Sequence, residues 1–148
     1  MIKIKKKYQI IIDTNVMTSA FRSKNGASYL LLKLLQKRDE RFEINVSTAL
    51  ILEYEAVLKR ELHRQNKKIE TIDKFIDDIV FLANRHQVFY LLRPCLKDAN
   101  DDFILELAFS SSVEYIVTYN TNNFKNAGMF GIETITPKKF LQKIGELS

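Results

Sequence analysis

Acidic side chains occur where carboxylates could act together on a cation or a phosphate, and the clearest of them is Asp13. It directly follows the apolar run at 10–12, which predicts a buried strand ending at that point. In open α/β sheets, ligands bind in the crevice beyond the carboxyl ends of the strands. Asp13 is therefore either the cap of a following helix or the first member of a catalytic site.

A second acidic group consists of Asp98, Asp101 and Asp102. Acids at the start of a helix commonly cap its free N–H groups and complement its dipole. Several carboxylates this close exceed what capping requires, because like charges repel. A bound divalent cation would relieve that repulsion, and Mg²⁺ typically takes a few carboxylates and several waters. Asp101 also shares a helix face with Ile104 and Leu105, which predicts that its carboxylate lies at the sheet-facing edge of the helix.

Two further positions are left open by residue spacing alone. Glu53 and Glu55 flank opposite edges of one predicted apolar helix face, and geometry does not choose between them. For either, a solvated surface charge is the ordinary alternative. Thr118 and Asn120 follow the apolar run at 115–117. They face Asp13 if the first and fourth strands are neighbours, and otherwise form a polar loop.

The spacing of apolar residues predicts strands that alternate with helices, which is typical of a parallel sheet with helices on both faces. We therefore expect residues 1–148 to form a single three-layer α/β/α domain, with a central, mainly parallel sheet of four to five strands. The predicted strands are 9–12, 42–46, 88–92, 115–117 and a short one at 131–135. The predicted helices are 28–36, 47 or 48 to 63, 69–84, 101–110 and 138–144, the last opened by Pro137.

Composition narrows the class of protein. The 23 basic residues outnumber the 18 acidic ones, giving a net charge of +5 that favours nucleic acid as a partner. Residues 1–7 are predicted to be a basic, flexible arm, followed by an apolar run too short for a signal peptide, and no segment approaches membrane-spanning length. The single cysteine, Cys95, excludes an internal disulfide and favours the cytoplasm. The Gly-rich phosphate motifs are absent.

The ordered series of these motifs resembles the PIN-domain nucleases, specifically the toxin components of toxin–antitoxin systems. The resemblance runs from about Gln9 to Leu141, and each motif is weak alone, whereas the series at matching separations is specific. It rests on Ile11-Ile12-Asp13-Thr14-Asn15-Val16, Val46-Ser47, Glu53-Tyr54, Val57-Leu58, Asp98, Asp101-Asp102, Leu105-Glu106-Leu107-Ala108, Tyr115-Ile116-Val117-Thr118 and Ile135-Thr136-Pro137-Lys138-Lys139-Phe140-Leu141.

The resemblance implies a metal-dependent endoribonuclease that hydrolyses RNA phosphodiester bonds with Mg²⁺ or Mn²⁺. Its implied partners are RNA and a small cognate antitoxin, and a homodimer remains open. In the family the glutamate precedes a tyrosine, which selects Glu53 over Glu55. The implied catalytic residues and metal ligands are Asp13, Glu53 and Asp101, with Asp102 as a further metal ligand and Asn15, Asp98, Thr118 and Asn120 as polar support.

The chain departs from the family at one place. Many relatives have an acidic residue two positions after the threonine, where this chain has Asn120, and others keep an Asp where it has Asn123. An amide oxygen can ligate a hard cation but supplies no charge.

Two rival functions stay open: a PIN-like domain that binds RNA or protein but cleaves poorly, and a phosphatase or receiver-type phosphotransfer domain. The phosphatase pattern wants an acid where this chain has Asn15, which argues against it.

Overall fold

The structure, a computed structural model, describes residues 7–88, 99–122, 124, 128 and 131–148. The side chains of residues 99–102 are outside this description. Asp98, Cys95, Asn123 and residues 1–6 of the predicted arm also lie outside the described residues. No helix in the described part of the chain is long and apolar enough to cross a membrane.

Strands and helices alternate along the described residues. The strands are β1 (Tyr8–Ile12), β2 (Phe42–Ser47), β3 (Asn84–His86), β4 (Tyr115–Val117) and β5 (Glu133–Ile135). The helices are α1 (Thr14–Arg22), α2 (Ala27–Gln36), α3 (Thr48–Arg64), α4 (Glu70–Leu82), α5 (Ala99–Ser111) and α6 (Pro137–Lys143).

The strands form one parallel sheet in the order β3-β2-β1-β4-β5. In the register of this sheet, Ile10 pairs with Ile44 of β2 and with Tyr115 of β4. The chain builds outward from β1 to β3 and then returns to the other side of β1 to form β4 and β5. The direction of winding thus reverses between β1 and β4, and open α/β sheets bind their ligands beyond the strand ends at such a switch point.

Both faces of the sheet are covered by helices. Successive side chains of a strand point to opposite faces, yet Ile10, Ile11 and Ile12 are all fully buried. Burial on both faces requires a helical layer on each side. The predicted three-layer α/β/α architecture with a parallel sheet is confirmed, and the sheet has the larger of the two expected strand numbers.

Helix α3 begins where its sequence predicts. Ser47 caps it, since the Ser47 hydroxyl oxygen accepts a hydrogen bond from the backbone N–H of Leu50 at 3.2 Å. Leu50, Tyr54 and Leu58 recur every fourth residue and are fully buried. This buried stripe fixes the rotation of the helix and therefore the direction in which its neighbouring glutamates point.

Helix α1 and strand β3 differ from the sequence-based expectation. Helix α1 is not among the predicted helices, although Val16, Met17 and Ala20 form a buried face, and it begins directly after the capping residue Asp13. The third strand lies at 84–86 instead of 88–92, because the preceding helix ends at Leu82. Val88 is outside the strand and 89–92 lie outside the described residues.

The polar side chains of β3 are held by hydrogen bonds to the neighbouring strands. Asn84 Nδ2 donates to Glu43 Oε2 and Gln9 Oε1, both at 3.1 Å. His86 Nε2 lies 2.8 Å from Asn45 Oδ1. These bonds allow a strand that lacks the usual apolar pattern, which is why hydrophobic periodicity places it too late.

Candidate functional site

Asp13 lies in the crevice between the ends of β1 and β4. Its backbone N–H donates to the carbonyl of Val117 at 2.9 Å, which continues the pairing of the two strands. Its side chain caps α1, because Oδ1 accepts from the backbone N–H of Thr14 at 2.7 Å. Only 5% of Asp13 is exposed. The carboxylate is therefore fixed at the switch point of the sheet.

Thr118 contacts Asp13 from the end of β4. Its hydroxyl donates to Asp13 Oδ2 at 2.8 Å and accepts from Asn15 Nδ2 at 3.3 Å and from the Asn120 backbone N–H at 3.0 Å. One donated and two accepted bonds fill the capacity of a hydroxyl group. The expectation that Thr118 faces Asp13 is confirmed, whereas Asn120 joins this network through its backbone and its side chain is exposed.

Glu53 reaches the same place from α3. The Thr14 hydroxyl donates to Glu53 Oε2 at 2.6 Å, while the Thr14 backbone binds Asp13. Glu55, in contrast, accepts from Lys59 Nζ at 3.1 Å on the same helix. The structure thus places Glu53, and not Glu55, beside Asp13, with Thr14 between the two carboxylates.

The buried side chain of Tyr54 lies next to the crevice, and the negative charge there affects its pKa. Its hydroxyl donates to the backbone carbonyl of Ile12, the residue before Asp13. Burial, followed by the charges of Asp13 and Glu53, raises the pKa of Tyr54 well above its ordinary value. The phenol therefore stays protonated, and both carboxylates lie close enough to act on it electrostatically.

Asp101 and Asp102 lie in the first turn of α5. This helix leads from β3 into β4, so its last turn lies near the amino end of β4. Thirteen residues of helix extend about 20 Å, which carries the first turn back to the carboxyl edge of the sheet. A helix of this length and direction is expected to place its first turn toward the carboxyl ends of the strands, while the side chains of Asp101 and Asp102, and all of Asp98, lie outside the described residues.

The donor chemistry at the crevice fits a hard divalent cation. Carboxylate oxygens are the preferred protein ligands of Mg²⁺ and Mn²⁺. Asp13 and Glu53 supply two carboxylates, and both accept hydrogen bonds from Thr14. Among the described side chains, no three His, Cys, Asp or Glu residues form a metal-binding group. Asp101 and Asp102, which the sequence predicts as further metal ligands, lie in the first turn of α5.

Two basic residues of α3 form ion pairs with acidic side chains. Lys59 forms ion pairs with Glu55 and with Asp73 at 2.8 Å. Arg64 pairs with Glu61 at 2.6 Å. The Lys59–Asp73 pair thus connects α3 to α4, whereas the Arg64–Glu61 pair lies within α3.

Comparison with known proteins places this arrangement in a family. Residues 9–122 match the family model described as PIN domain. The chain belongs to the PIN domain family. PIN domains are generally nucleases, and the match spans both β1 with Asp13 and β4 with Thr118. Membership removes the phosphatase or receiver-type alternative.

A solved structure shares the fold of this PIN domain. It is the crystal structure of VapBC2 from Rickettsia felis bound to a DNA fragment from their promoter. A chain of that structure matches with a TM-score of 0.58 and 17% identity, over 86% of this chain and 98% of that chain. A search of curated proteins gave no match.

Two residues that contact the carboxylates had no assigned role in the sequence interpretation. Thr14 was visible only as the neighbour of Asp13, and Tyr54 only as the tyrosine that follows Glu53. A polar residue directly after a strand-end acid is the signal that could have identified Thr14. A tyrosine, instead of leucine, inside a buried stripe is the corresponding signal for Tyr54, since a buried hydroxyl needs a partner.

Proposed function

We propose that this PIN domain is a Mg²⁺- or Mn²⁺-dependent endoribonuclease that acts in the cytoplasm as the toxin of a toxin–antitoxin pair. The observation that carries the proposal is the pairing of Asp13 and Glu53 through Thr14 at the switch point of the sheet. Family membership supports nuclease chemistry, and the similarity to a chain of the VapBC2 structure supports a small antitoxin partner.

In this proposal Asp13, Glu53 and Asp101 hold the metal ion, with Asp102 as a further ligand. When bound, the ion supplies an activated water and neutralises charge on the phosphate. Thr14 and Thr118 hold Glu53 and Asp13 in fixed orientations, which reduces the reorganisation that ion binding requires. Asn15 in turn fixes the hydroxyl of Thr118.

RNA is the proposed substrate, and the net charge of +5 favours its approach. The carboxylates alone repel phosphates, so attraction must come from cations elsewhere on the surface. Arg60, Lys67 and Lys68 are exposed and lie on or just after α3. Binding should therefore weaken as the salt concentration rises.

The test is cleavage of a mixed single-stranded RNA by the purified protein with and without Mn²⁺. We expect Asp13→Asn and Glu53→Gln each to lower the rate about a hundredfold or more, since several kcal/mol of charge stabilisation are lost. Glu55→Gln is the matched control, because it removes a carboxylate of the same helix that is paired with Lys59. Circular dichroism verifies that each variant is folded, and cleavage by Asp13→Asn at the parent rate would overturn the proposal.

A PIN domain that binds RNA but cleaves poorly is the second candidate. Asn120 favours it, because an exposed amide stands where many relatives place a fourth acid. Calorimetric titration with Mn²⁺ separates the two functions. A nuclease should bind the ion and lose affinity on Glu53→Gln, whereas RNA binding without Mn²⁺ binding or cleavage identifies the binding module.

A further inference from the structure

Tyr119 is an exposed aromatic residue that is held in place from two directions. Its hydroxyl shares a hydrogen bond of 2.5 Å with the hydroxyl of Ser28, which is 1% exposed in the first turn of α2. Its backbone N–H donates to Asn15 Oδ1 at 3.3 Å. Even so, 45% of Tyr119 remains exposed. The ring is thus oriented by the fold while much of it stays accessible.

The residues that surround Asp13 also position Tyr119. Tyr119 directly follows Thr118, whose hydroxyl binds Asp13, and neighbouring Cα atoms are about 3.8 Å apart. Asn15 contacts both residues, since its amide nitrogen binds the Thr118 hydroxyl and its oxygen binds the Tyr119 backbone. Tyr119 therefore lies beside α1 and α2, next to the crevice that holds Asp13.

The other strongly exposed aromatic residues of the described chain lie at the opposite edge of the sheet. Phe81 is 75% exposed and borders a depression with Lys7 and Phe42, at the amino ends of β1 and β2. Phe109 is 48% exposed in the last turns of α5, which lead into the amino end of β4. Among the described residues, an exposed aromatic ring at the carboxyl edge is therefore particular to Tyr119.

We propose that Tyr119 is a stacking platform for an unpaired nucleobase of an RNA strand whose phosphate lies at Asp13 and Glu53. This inference rests on the proposed function and names the form of its substrate, a single strand. Unpaired bases are commonly bound by stacking on aromatic side chains, irrespective of their sequence. A ring that is already oriented loses little conformational entropy on binding. Stacking also adds uncharged attraction beside carboxylates that repel the backbone.

The experiment measures RNA binding separately from cleavage. Every variant is made in the Asp13→Asn background, and its affinity for a fluorescent single-stranded oligoribonucleotide is measured by anisotropy, together with an abasic oligomer of the same length. Tyr119→Leu removes the aromatic face, and Tyr119→Phe keeps the face but loses the bond to Ser28. Phe81→Leu is the matched control at the opposite edge. Thermal unfolding verifies that each variant is folded.

We expect Tyr119→Leu to weaken binding of the base-containing strand by about fivefold to a hundredfold, and binding of the abasic strand by less than about twofold. Phe81→Leu should bind both strands within about twofold of the background protein, and Tyr119→Phe, which keeps the aromatic face but loses the bond that orients it, should weaken binding of the base-containing strand less than Tyr119→Leu does. Should Tyr119→Leu match Phe81→Leu, or weaken both strands equally, stacking is wrong while cleavage by the parent chain still supports the nuclease. A parent that neither binds nor cleaves RNA overturns both.

Discussion

The hydroxyl of Thr14 donates a hydrogen bond to Oε2 of Glu53 at 2.6 Å, across 39 positions of the chain. Because the backbone N–H of the same residue binds Asp13, Thr14 fixes two carboxylates relative to each other. A hydrogen bond to a charged oxygen is about twice as strong as a neutral one. The spacing of the acidic pair therefore depends on one side chain that is itself not acidic.

Replacing Thr14 by valine should lower the affinity for Mn²⁺ by about tenfold to a hundredfold, as loss of an outer partner of a metal ligand typically does. Thr14→Ser restores the hydroxyl and should recover the affinity. Isothermal titration calorimetry measures both. Thr18→Val is the control, since its hydroxyl binds the carbonyl of Thr14 at 3.1 Å within the same helix. Parent-like Mn²⁺ affinity in Thr14→Val would show that Glu53 needs no support.

Tyr54→Phe should lower the free energy of unfolding by about 1–3 kcal/mol, because the carbonyl of Ile12 loses a buried donor. Urea unfolding measures this loss. The raised pKa of Tyr54 gives a second readout: in an alkaline absorbance titration, one tyrosine of the parent should ionise only when the protein unfolds. That late step should be missing in Tyr54→Phe, and its persistence there would show that another tyrosine causes it.

Glu61 connects α3 to α1 through Arg22, whose Nε donates to Oε1 at 2.6 Å. The bonds from Arg22, and then from Gln65 and Arg64, outweigh desolvation and lower the pKa of Glu61 from 4.5 to about 2. A carboxyl group whose pKa is lowered by folding stabilises the fold at pH values above its pKa in the unfolded state. It loses this contribution as the pH falls toward its pKa in the folded state. The stabilisation is therefore complete above about pH 4.5 and lost toward about pH 2.

Glu61→Gln should therefore reduce the free energy of unfolding at pH 7 by about 1–3 kcal/mol, at the modest end because half-exposed Arg22 is screened by solvent. The difference from the parent should shrink between about pH 4.5 and 2. Glu55→Gln, which breaks an exposed pair with Lys59, should cost clearly less than Glu61→Gln. Urea unfolding at the two ends of this range tests both. An equal loss in the two variants would contradict a special role for Glu61.

Ser47→Ala should destabilise the protein by about 1 kcal/mol, because the first turn of α3 loses its cap. Thr48→Ala is the natural control, since Thr48 is already inside the helix and exposed. The sequence left open which of the two residues caps the helix. Equal urea midpoints for the two variants would argue that the cap contributes nothing.

The elements that the sequence predicted correctly are those with a local pattern of buried apolar residues. Strand β4 has the predicted bounds, and β1 differs by one residue, because a short apolar run buried on both faces is a strong local signal. Strand β3 was misplaced because Asn84 and His86 are held by side chains of other strands, which no local periodicity records.

The candidate site was predictable to the extent that it follows from strand order. Once β1 and β4 are neighbours, Asp13 and Thr118 must meet at their ends. The contact of Thr14 with Glu53 depends instead on how α1 packs against α3, and residue spacing left Glu53 and Glu55 indistinguishable. The assignment of Asp101 and Asp102 as ligands stays a prediction, supported by the path of α5.

The bond between Thr118 and Asp13 spans 105 positions of the chain. During synthesis, the residues of β1 leave the ribosome long before those of β4, so the crevice has only one wall until the second half of the sheet has emerged and paired. A nascent or shortened chain that ends before β4 has Asp13 and Glu53 but nothing to orient Asp13 from the other side. The proposed active site is thereby completed only after the second half of the sheet has formed.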